Sequence, residues 1–303
     1  MAKKKVYLTR KIPGPAISLL AARYHVSFHD GIRPPTRLEL CKAIRNKDGI
    51  LCTLSDKIDR KVLEEAGPKL KVISSYSTGY DHIDVTEATK RGIIVATTGD
   101  ILAETTADLT FALILAISRR IVEADKFVRN GAWKVGWMPD LLLGSDVHNS
   151  TLGILGLGRI GQAVARRAKG FRMNIIYHNR HRLDSRLESR LGVTYVGMNE
   201  LLRNSDFLTI HAGLNQDSFK ILGKDEFCKM KKDAYLINTA RGGIVNENDL
   251  VEALQKKRIR GAALDTFSHE PITKCNKLLR LMNLIVLPHI GSATINTRTK
   301  MSR

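Results

Sequence analysis

Cysteine is scarce in this chain. Cys41, Cys52, Cys228 and Cys275 form no C-x-x-C unit, and no histidine lies near them at zinc-binding spacing. No disulfide framework and no metal centre are therefore read from the sequence, and the pattern suits a reducing, cytoplasmic compartment. Long apolar runs are missing too. After Met1-Ala2-Lys3-Lys4-Lys5, the stretch Val6-Tyr7-Leu8-Thr9 has the length of a strand and not of a signal-peptide core. The most apolar later run, Leu109–Ile117, is too short to span a bilayer and leads into Arg119-Arg120. The chain is read as soluble, with no membrane partner.

Acidic residues are in deficit, 30 against 49 basic ones, for a formal charge of +19. Such a field draws anions. Nucleic acid is one candidate, and an acidic substrate with a phosphorylated cofactor is another. Aromatics make up only 6% of residues and do not interleave with Lys3-Lys4-Lys5 or Lys256-Lys257-Arg258. Base stacking needs aromatic platforms, so nucleic-acid binding is disfavoured. Most of the basic residues read as solvated surface.

What is present is a regular alternation. A chain of 303 residues suggests two domains and can bury a core without disulfides. Short apolar runs alternate with longer amphipathic stretches, the signature of parallel sheets with crossover helices. In the first third, strands are expected at Val6–Thr9, Val26–His29, Gly49–Thr53, Val72–Ser75 and Ile93–Ala96, with helical segments such as Asp59–Ala66 and Val85–Arg91 between them. One long helix is expected from Ala107 to Phe127, capped by Thr105-Thr106 and ended by Asn130-Gly131. Residues 131–150, with Trp133 and Trp137, read as a loop that either covers a site or plugs the core. A second series of strands begins at Thr151.

That series opens with chemistry. Thr151-Leu152-Gly153-Ile154-Leu155 runs into Gly156-Leu157-Gly158-Arg159-Ile160-Gly161 and then a helix. This is G-x-G-x-x-G in strand-turn-helix context. Gly156 permits the tight turn, Gly158 lets backbone approach a pyrophosphate, and Gly161 lets helix and strand pack closely; the helix N-terminus faces the phosphates. The next expected strand, Asn174–His178, ends in Asn179-Arg180-His181-Arg182, with no acid before Asp184. An NAD-selective site places an acid there for the ribose 2′-hydroxyl. Arg180 and Arg182 instead suit a 2′-phosphate, so NADP(H) is the expected preference, with NAD(H) as the other cofactor such a site accepts.

Three further residues follow expected strands: Arg241 after Ala234–Thr239, Glu270 after Gly261–Phe267, and His289 after Leu284–Leu287. Ligands of open α/β sheets bind at such strand ends. An arginine can grip a carboxylate through two parallel hydrogen bonds. A histidine can give a proton to a forming alkoxide, and a carboxylate beside it orients the ring. The set suits reduction of a 2-keto acid, with hydride from the cofactor.

The runs Gly156–Ala165, Ile237–Val245 and Pro288–Thr294 resemble the D-isomer-specific 2-hydroxyacid dehydrogenases, most of all the glyoxylate and hydroxypyruvate reductases, and the similarity extends over nearly the whole chain. The resemblance implies α/β architecture with two doubly wound parallel-sheet domains: a flavodoxin-like substrate domain, residues 1–99 completed by a C-terminal helix in 290–303, and a Rossmann cofactor domain, residues 100–289. It implies Arg241, Glu270 and His289 as the catalytic set. It implies cofactor contacts at Gly156, Gly158, Arg159, Ile160, Gly161, Asn179, Arg180, Arg182, Thr106, Thr239, Ala240, Asp265 and Gly291. It implies substrate contacts at Leu51, Ser77, Thr78 and Gly79, with Arg241 and His289, and a homodimer built on the cofactor domains, the tryptophan loop reaching the partner's site.

Three departures stand out. Gly99 in Thr97-Thr98-Gly99-Asp100, and Ala212-Gly213-Leu214, carry glycine where relatives often carry proline, which is expected to loosen two loops. Fourteen residues follow His289, where the family usually has a longer helix and a tail. The alternatives are reduction of another 2-keto acid, such as 2-ketogluconate, and a non-catalytic dinucleotide-binding regulator.

Overall fold

The computed structural model describes residues 3–303; Met1 and Ala2 of the basic N-terminus lie outside the described residues. The chain divides into two compact units. One contains everything up to Leu102 together with Ser292–Arg303, and the other is Ala103–Gly291. These limits fall two or three residues beyond those read from the sequence.

In the first unit, strands β1 (Lys5–Leu8), β2 (His25–Phe28), β3 (Gly49–Cys52), β4 (Val72–Ser75) and β5 (Ile94–Ala96) form one parallel sheet in the order β2-β1-β3-β4-β5. That is the flavodoxin-like order. Helices α1 (Ala16–Arg23), α2 (Arg37–Ile44), α3 (Arg60–Ala66) and α4 (Val85–Lys90) make the crossovers. Three of their starts are dictated locally. Thr36 and Glu39 form a capping box, and the Asp59 and Asp84 carboxylates accept amides of the first turns of α3 and α4. Ile44, Ile50, Ile58, Val62, Leu63 and Ile73 are completely buried or nearly so and fill the core. The C-terminal helix, Ile295–Met301, belongs to this unit. Met301 packs with Ile12, Ala16 and Tyr76, and the Tyr76 hydroxyl donates to the Arg298 carbonyl at 2.6 Å.

The second unit opens with helices α5 (Ala103–Ser118) and α6 (Ile121–Arg129). The single helix expected over Ala107–Phe127 is thus broken. Arg120 has φ +53°, and the Ser118 carbonyl accepts the amide of Ser145 at 2.9 Å. Gly144 allows that approach, since a Cβ there would lie 2.3 Å from the Ser118 oxygen. A contact 27 residues downstream therefore accompanies the end of α5, and periodicity carries no trace of it.

Strands β6 (Thr151–Leu155), β7 (Asn174–His178), β8 (Thr194–Tyr195), β9 (Phe207–Ile210), β10 (Tyr235–Asn238), β11 (Gly261–Leu264) and β12 (Leu284–Val286) follow. Their order in the parallel sheet is β12-β11-β10-β9-β6-β7-β8. The winding reverses between β6 and β9, the point where doubly wound sheets open their ligand crevice. The crossover helices are α7 (Arg159–Gly170), α8 (Ser185–Leu191), α9 (Met198–Asn204), α10 (Lys224–Lys229) and α11 (Glu247–Gln255); the C-terminal helix of the first unit is α12. Both faces of the sheet are covered, one by α5 and α7 around Ile114, Leu152, Val164 and Phe207, the other around Leu201, Leu208, Phe227 and Leu250. Continuous burial of β9, β10 and β11 on both faces explains why these strands are apolar throughout. Among the described residues, no helix is long and apolar enough to cross a membrane.

Candidate active site

The glycine turn lies at the carboxyl end of β6. Gly156 has φ +97°, and a Cβ on it would meet the Ala212 amide nitrogen at 2.5 Å. Gly161 packs against the turn so closely that a Cβ would sit 2.4 Å from the Gly156 carbonyl oxygen. At Gly158 a Cβ would meet nothing within 4 Å, so its absence leaves open space beside the backbone. Gly158 is also the N-cap of the 12-residue α7 and supplies no side-chain cap. An open backbone turn leading to an uncapped helix N-terminus fits an anionic diphosphate. Arg159 and Ile160 form the first turn of α7.

At the end of β7, Asn179 turns inward: its Oδ1 accepts the Leu157 amide at 2.7 Å and so shapes the glycine turn. Arg182 is engaged within the chain. It donates to both oxygens of Glu188, at 2.9 and 2.8 Å, and lies over the Tyr195 ring. Glu188 is further held by the Tyr177 hydroxyl at 2.5 Å. Arg180 pairs only at the surface, with Asp217 at 3.1 Å, and both side chains are largely exposed. The two arginines that look equivalent in sequence therefore stand in different surroundings.

The segments after β10, β11 and β12 carry Arg241, Glu270 and His289, the set expected to be catalytic. Asn238 ends β10 and holds the next turn from both sides: its Oδ1 accepts the Ala240 amide at 3.0 Å and its amide donates to the Arg241 carbonyl at 2.9 Å. Thr239 is buried and shares a hydrogen bond of 2.9 Å with Thr110 of α5; Thr106, one turn earlier on α5, is also buried. Gly242 follows Arg241 and packs on the Phe267–Ser268 backbone, where a Cβ would lie 1.9 Å from the Phe267 carbonyl carbon. That contact brings the Arg241 turn against the loop bearing Glu270. Glu270 accepts the Phe267 amide at 3.0 Å on one oxygen, and its other oxygen meets His289 Nδ1 at 2.8 Å. The Glu270–Pro271 peptide is cis.

His289 itself has φ +55°, in the left-handed region. Such a conformation costs roughly 1–2 kcal/mol in a residue with a Cβ. Asp265 offsets it. This carboxylate, fully buried at the end of β11, accepts the Ile290 amide on one oxygen and the Gly291 amide on the other, both at 2.8 Å. The turn that presents His289 is thus held at its backbone by Asp265 and at its ring by Glu270. The two carboxyls respond oppositely. Burial pushes Asp265 up, against the pull of the two amides and of His289. Burial also pushes Glu270 up, but the His289 hydrogen bond and charge, the Phe267 amide and the Arg241 charge bring it below the ordinary carboxylate range. Among the described residues, no group of three or more His, Cys, Asp or Glu could hold a metal ion.

In the first unit, Leu51 lies half-buried in β3 and packs beside the Tyr76 cluster. Ser77, Thr78 and Gly79 follow β4. The Ser77 hydroxyl donates to the Gly79 carbonyl and the Thr78 hydroxyl to the Gly99 carbonyl, both at 2.6 Å. Gly99 has φ +63°, a conformation closed to proline, and the Thr98 amide donates to the Ser77 carbonyl. The loop expected to be loose is therefore pinned. At the other glycine departure, the Gly213 carbonyl accepts the Ser218 hydroxyl at 2.8 Å. The sequence reading passed over Asn238 and Gly242. Both had a signal: an Asn two residues before an amide it can cap, and a glycine directly after the candidate arginine.

Comparison with known proteins joins these observations. Residues 111–291 match the family model described as D-isomer specific 2-hydroxyacid dehydrogenase, NAD binding domain. The chain belongs to this family of dehydrogenases and is an NAD(P)-dependent D-2-hydroxyacid dehydrogenase of the glyoxylate reductase-like type. It is 46% identical to a glyoxylate reductase of Thermococcus litoralis over 99% of this chain and 91% of that protein. It is 44% identical to one of Korarchaeum cryptofilum over 99% of this chain and 90% of that protein. Among solved structures, a Thermus thermophilus protein aligns with TM-score 0.91 and 41% identity over 98% of this chain and 93% of that one. The NADPH-dependent glyoxylate/hydroxypyruvate reductase of Sinorhizobium meliloti, in complex with NADP and malonate, aligns with TM-score 0.88 and 31% identity over 99% of this chain and 91% of that one.

Proposed function

We propose that the protein reduces glyoxylate or hydroxypyruvate to the corresponding 2-hydroxy acid, of D configuration where the product is chiral, with NADPH as the preferred reductant. The observation that carries this reading is the 2.8 Å pair of His289 and Glu270, beside the Arg241 turn, at successive strand ends of a dinucleotide-binding sheet. Arg241 grips the substrate carboxylate and polarises the neighbouring carbonyl. With Nδ1 on Glu270, His289 presents Nε2 to the carbonyl oxygen and gives it a proton. Glu270, held as a carboxylate, fixes the ring and stabilises the imidazolium before transfer. Asp265 holds the backbone on which His289 stands. A bound dinucleotide supplies the hydride. Gly156, Gly158 and Gly161 with the first turn of α7, together with Asn179, Thr106, Thr239, Ala240 and Gly291, are the groups proposed to hold it.

The NADPH preference rests on Arg180, because Arg182 is tied to Glu188. A 2′-phosphate must displace only the exposed Asp217 from Arg180. In this reading residues 1–99 with 290–303 are the substrate domain, whose Ser77–Gly79 backbone and Leu51 meet the substrate, and residues 100–289 are the cofactor domain. A homodimer is supported by the exposure of Trp133 and Trp137, at 54% and 85%, and by a groove of about 670 Å³ that includes Val122, Phe127, Leu279 and Met282. These tryptophans do not plug the core of their own chain.

The test is a turnover panel with glyoxylate, hydroxypyruvate, pyruvate and 2-ketogluconate, each with NADPH and NADH. Turnover is expected to be fastest with the first two acids and NADPH. His289→Ala should lower kcat by about 10²–10⁴-fold. Arg180→Ala should lower kcat/KM for NADPH by about tenfold and leave NADH unchanged, the loss of one charged hydrogen bond or so. A stronger NADH preference in the unaltered enzyme, or faster turnover of 2-ketogluconate, would overturn the corresponding part of the reading.

A further inference from the structure

The loop after β4 satisfies its carbonyls and leaves its amides open. The Ser77 carbonyl accepts the Thr98 amide at 3.0 Å, the Gly79 carbonyl accepts the Ser77 hydroxyl at 2.6 Å, and the Tyr80 carbonyl accepts the Ile83 amide at 2.9 Å. The amides of Thr78, Gly79 and Tyr80 have no acceptor among the described residues. Behind the Ser77 hydroxyl stands a row of polar side chains. Ser75 Oγ lies 2.8 Å from Ser77 Oγ, and His82 Nε2 lies 3.1 Å from Ser75 Oγ. Both serines are buried, and His82 is half-buried. One end of the row fixes the direction of every bond in it. A carbonyl oxygen only accepts, so Ser77 gives its single hydroxyl proton to Gly79. Between the two serines the proton then comes from Ser75. Ser75 has none left for the ring, so His82 Nε2 carries a hydrogen and donates it. That direction holds whether or not Nδ1 is protonated as well. The Cys52 sulfur, 4.0 Å from the same nitrogen, is only a weak acceptor. The starting point of the row is itself fixed, since the His82 carbonyl accepts the Ile58 amide at 2.9 Å.

We propose that His82 is a positioning residue for the substrate carboxylate: through Ser75 and Ser77 it holds the Gly79–Tyr80 peptide in place and strengthens the amide of that peptide as a donor. The inference rests on the proposed function, in which the Ser77–Gly79 backbone meets the substrate. His82 touches no substrate atom in this role. Hydrogen bonds in a one-way chain polarise one another, so each donor strengthens the next. The last bond falls on the Gly79 carbonyl, and a carbonyl that accepts strongly draws charge from the nitrogen of its own peptide unit. That nitrogen is the Tyr80 amide, one of the three left open. The role explains why three polar side chains are lined up beneath a loop whose backbone must present donors to an anion.

The experiment compares the unaltered protein with His82→Leu, His82→Gln and Ser75→Ala. It measures turnover of glyoxylate and hydroxypyruvate at saturating NADPH, calorimetric titration with malonate in the presence of NADP, and thermal unfolding. His82→Leu should raise KM for both keto acids and Kd for malonate about threefold to tenfold, the effect of one hydrogen bond. Its kcat should stay within about twofold, because a grip on the carboxylate is shared by ground and transition states. His82→Gln keeps a donor near the place of Nε2 and should restore most of the loss. Ser75→Ala cuts the same chain one link further on and should give the same rise, and the double variant should show no more than either alone. In proton–nitrogen correlation spectra of histidine-labelled protein, the ring signal missing from His82→Gln should show Nε2 protonated; a bare Nε2 overturns the relay. A merely structural histidine would lower Tm and leave KM and the malonate Kd unchanged, and that outcome overturns the role. Should His82→Leu fail to fold, an unchanged KM and malonate Kd in Ser75→Ala overturn it as well. If the unaltered protein turns over no 2-keto acid, the proposed function fails; a malonate Kd weakened by His82→Leu then still supports the relay, and an unchanged one overturns it.

Discussion

The carboxyl edges of the two sheets are built in opposite ways. In the first unit the strand ends are tied to one another by side chains. Asp56 Oδ2 accepts the Thr9 hydroxyl from the end of β1 at 2.5 Å and the Thr53 amide and hydroxyl from the end of β3 at 2.7 and 2.9 Å. Ser75 meets Ser77 and His82 in the same manner at the end of β4. In the second unit the edge is left open after β6, with a bare glycine turn and a helix without a side-chain cap. At β10, β11 and β12 it is closed again around Asp265, Glu270 and His289. The first edge ties its own strand ends together through Asp56 Oδ2, although Asp56 Oδ1 stays buried without a partner among the described residues. The second leaves bare backbone at the Gly156–Gly161 turn and an uncapped helix start.

This contrast can be broken at several points. The largest effect is expected at Arg241. Arg241→Gln removes up to two charged hydrogen bonds to substrate, each worth about 1.5–3 kcal/mol, so kcat/KM for the keto acid should fall by about 10²–10⁴-fold while the Kd for NADPH stays put. A loss confined to cofactor binding would place Arg241 in the wrong half of the site. Next comes Asp56→Ala, which strands three donors at the first sheet's edge. Urea unfolding should show a loss of at least about 1–3 kcal/mol, with the Kd for NADPH unchanged. A fall in dinucleotide affinity equal to that at Arg180 would erase the distinction between the edges.

The smallest effect is a contrast in pH dependence between two carboxyls of the second edge. Glu270 is depressed in the folded state, so its contribution to stability is present above the ordinary carboxylate range and lost as pH falls through its lowered value. Asp265 is raised, so the folded state holds its proton more tightly than the unfolded chain, and stability is lost as pH rises through its raised value. Unfolding free energies measured from about pH 3 to pH 7 should therefore show Glu270→Gln and Asp265→Asn diverging from the unaltered protein with opposite slopes. Parallel slopes would mean that the two groups share one environment.

Much of the site was legible before any coordinates, and the reason is locality. The glycine turn is a backbone requirement confined to six consecutive residues, Gly156–Gly161, and the candidate residues Arg241, Glu270 and His289 stand out by following apolar runs of strand length. Alternation of such runs with amphipathic segments is enough to specify parallel α/β units. The broken helix at Arg120 was hidden because its cause, Ser145, is remote in sequence. Arg180 and Arg182 looked alike because a sequence does not say which of two neighbouring basic side chains Glu188 will take.

By itself, then, the order of residues determined the fold class and the glycine turn, and it singled out Arg241, Glu270 and His289 as candidates, since each depends on short-range periodicity or on a residue's own chemistry. Only the tertiary structure decided their partners: Glu270 with His289 across 19 residues, Asp265 with two amides across 25 and 26, and Arg182 with Glu188. Partner choice is set by packing and by what burial leaves unsatisfied, and both arise only when segments far apart in the chain are brought together.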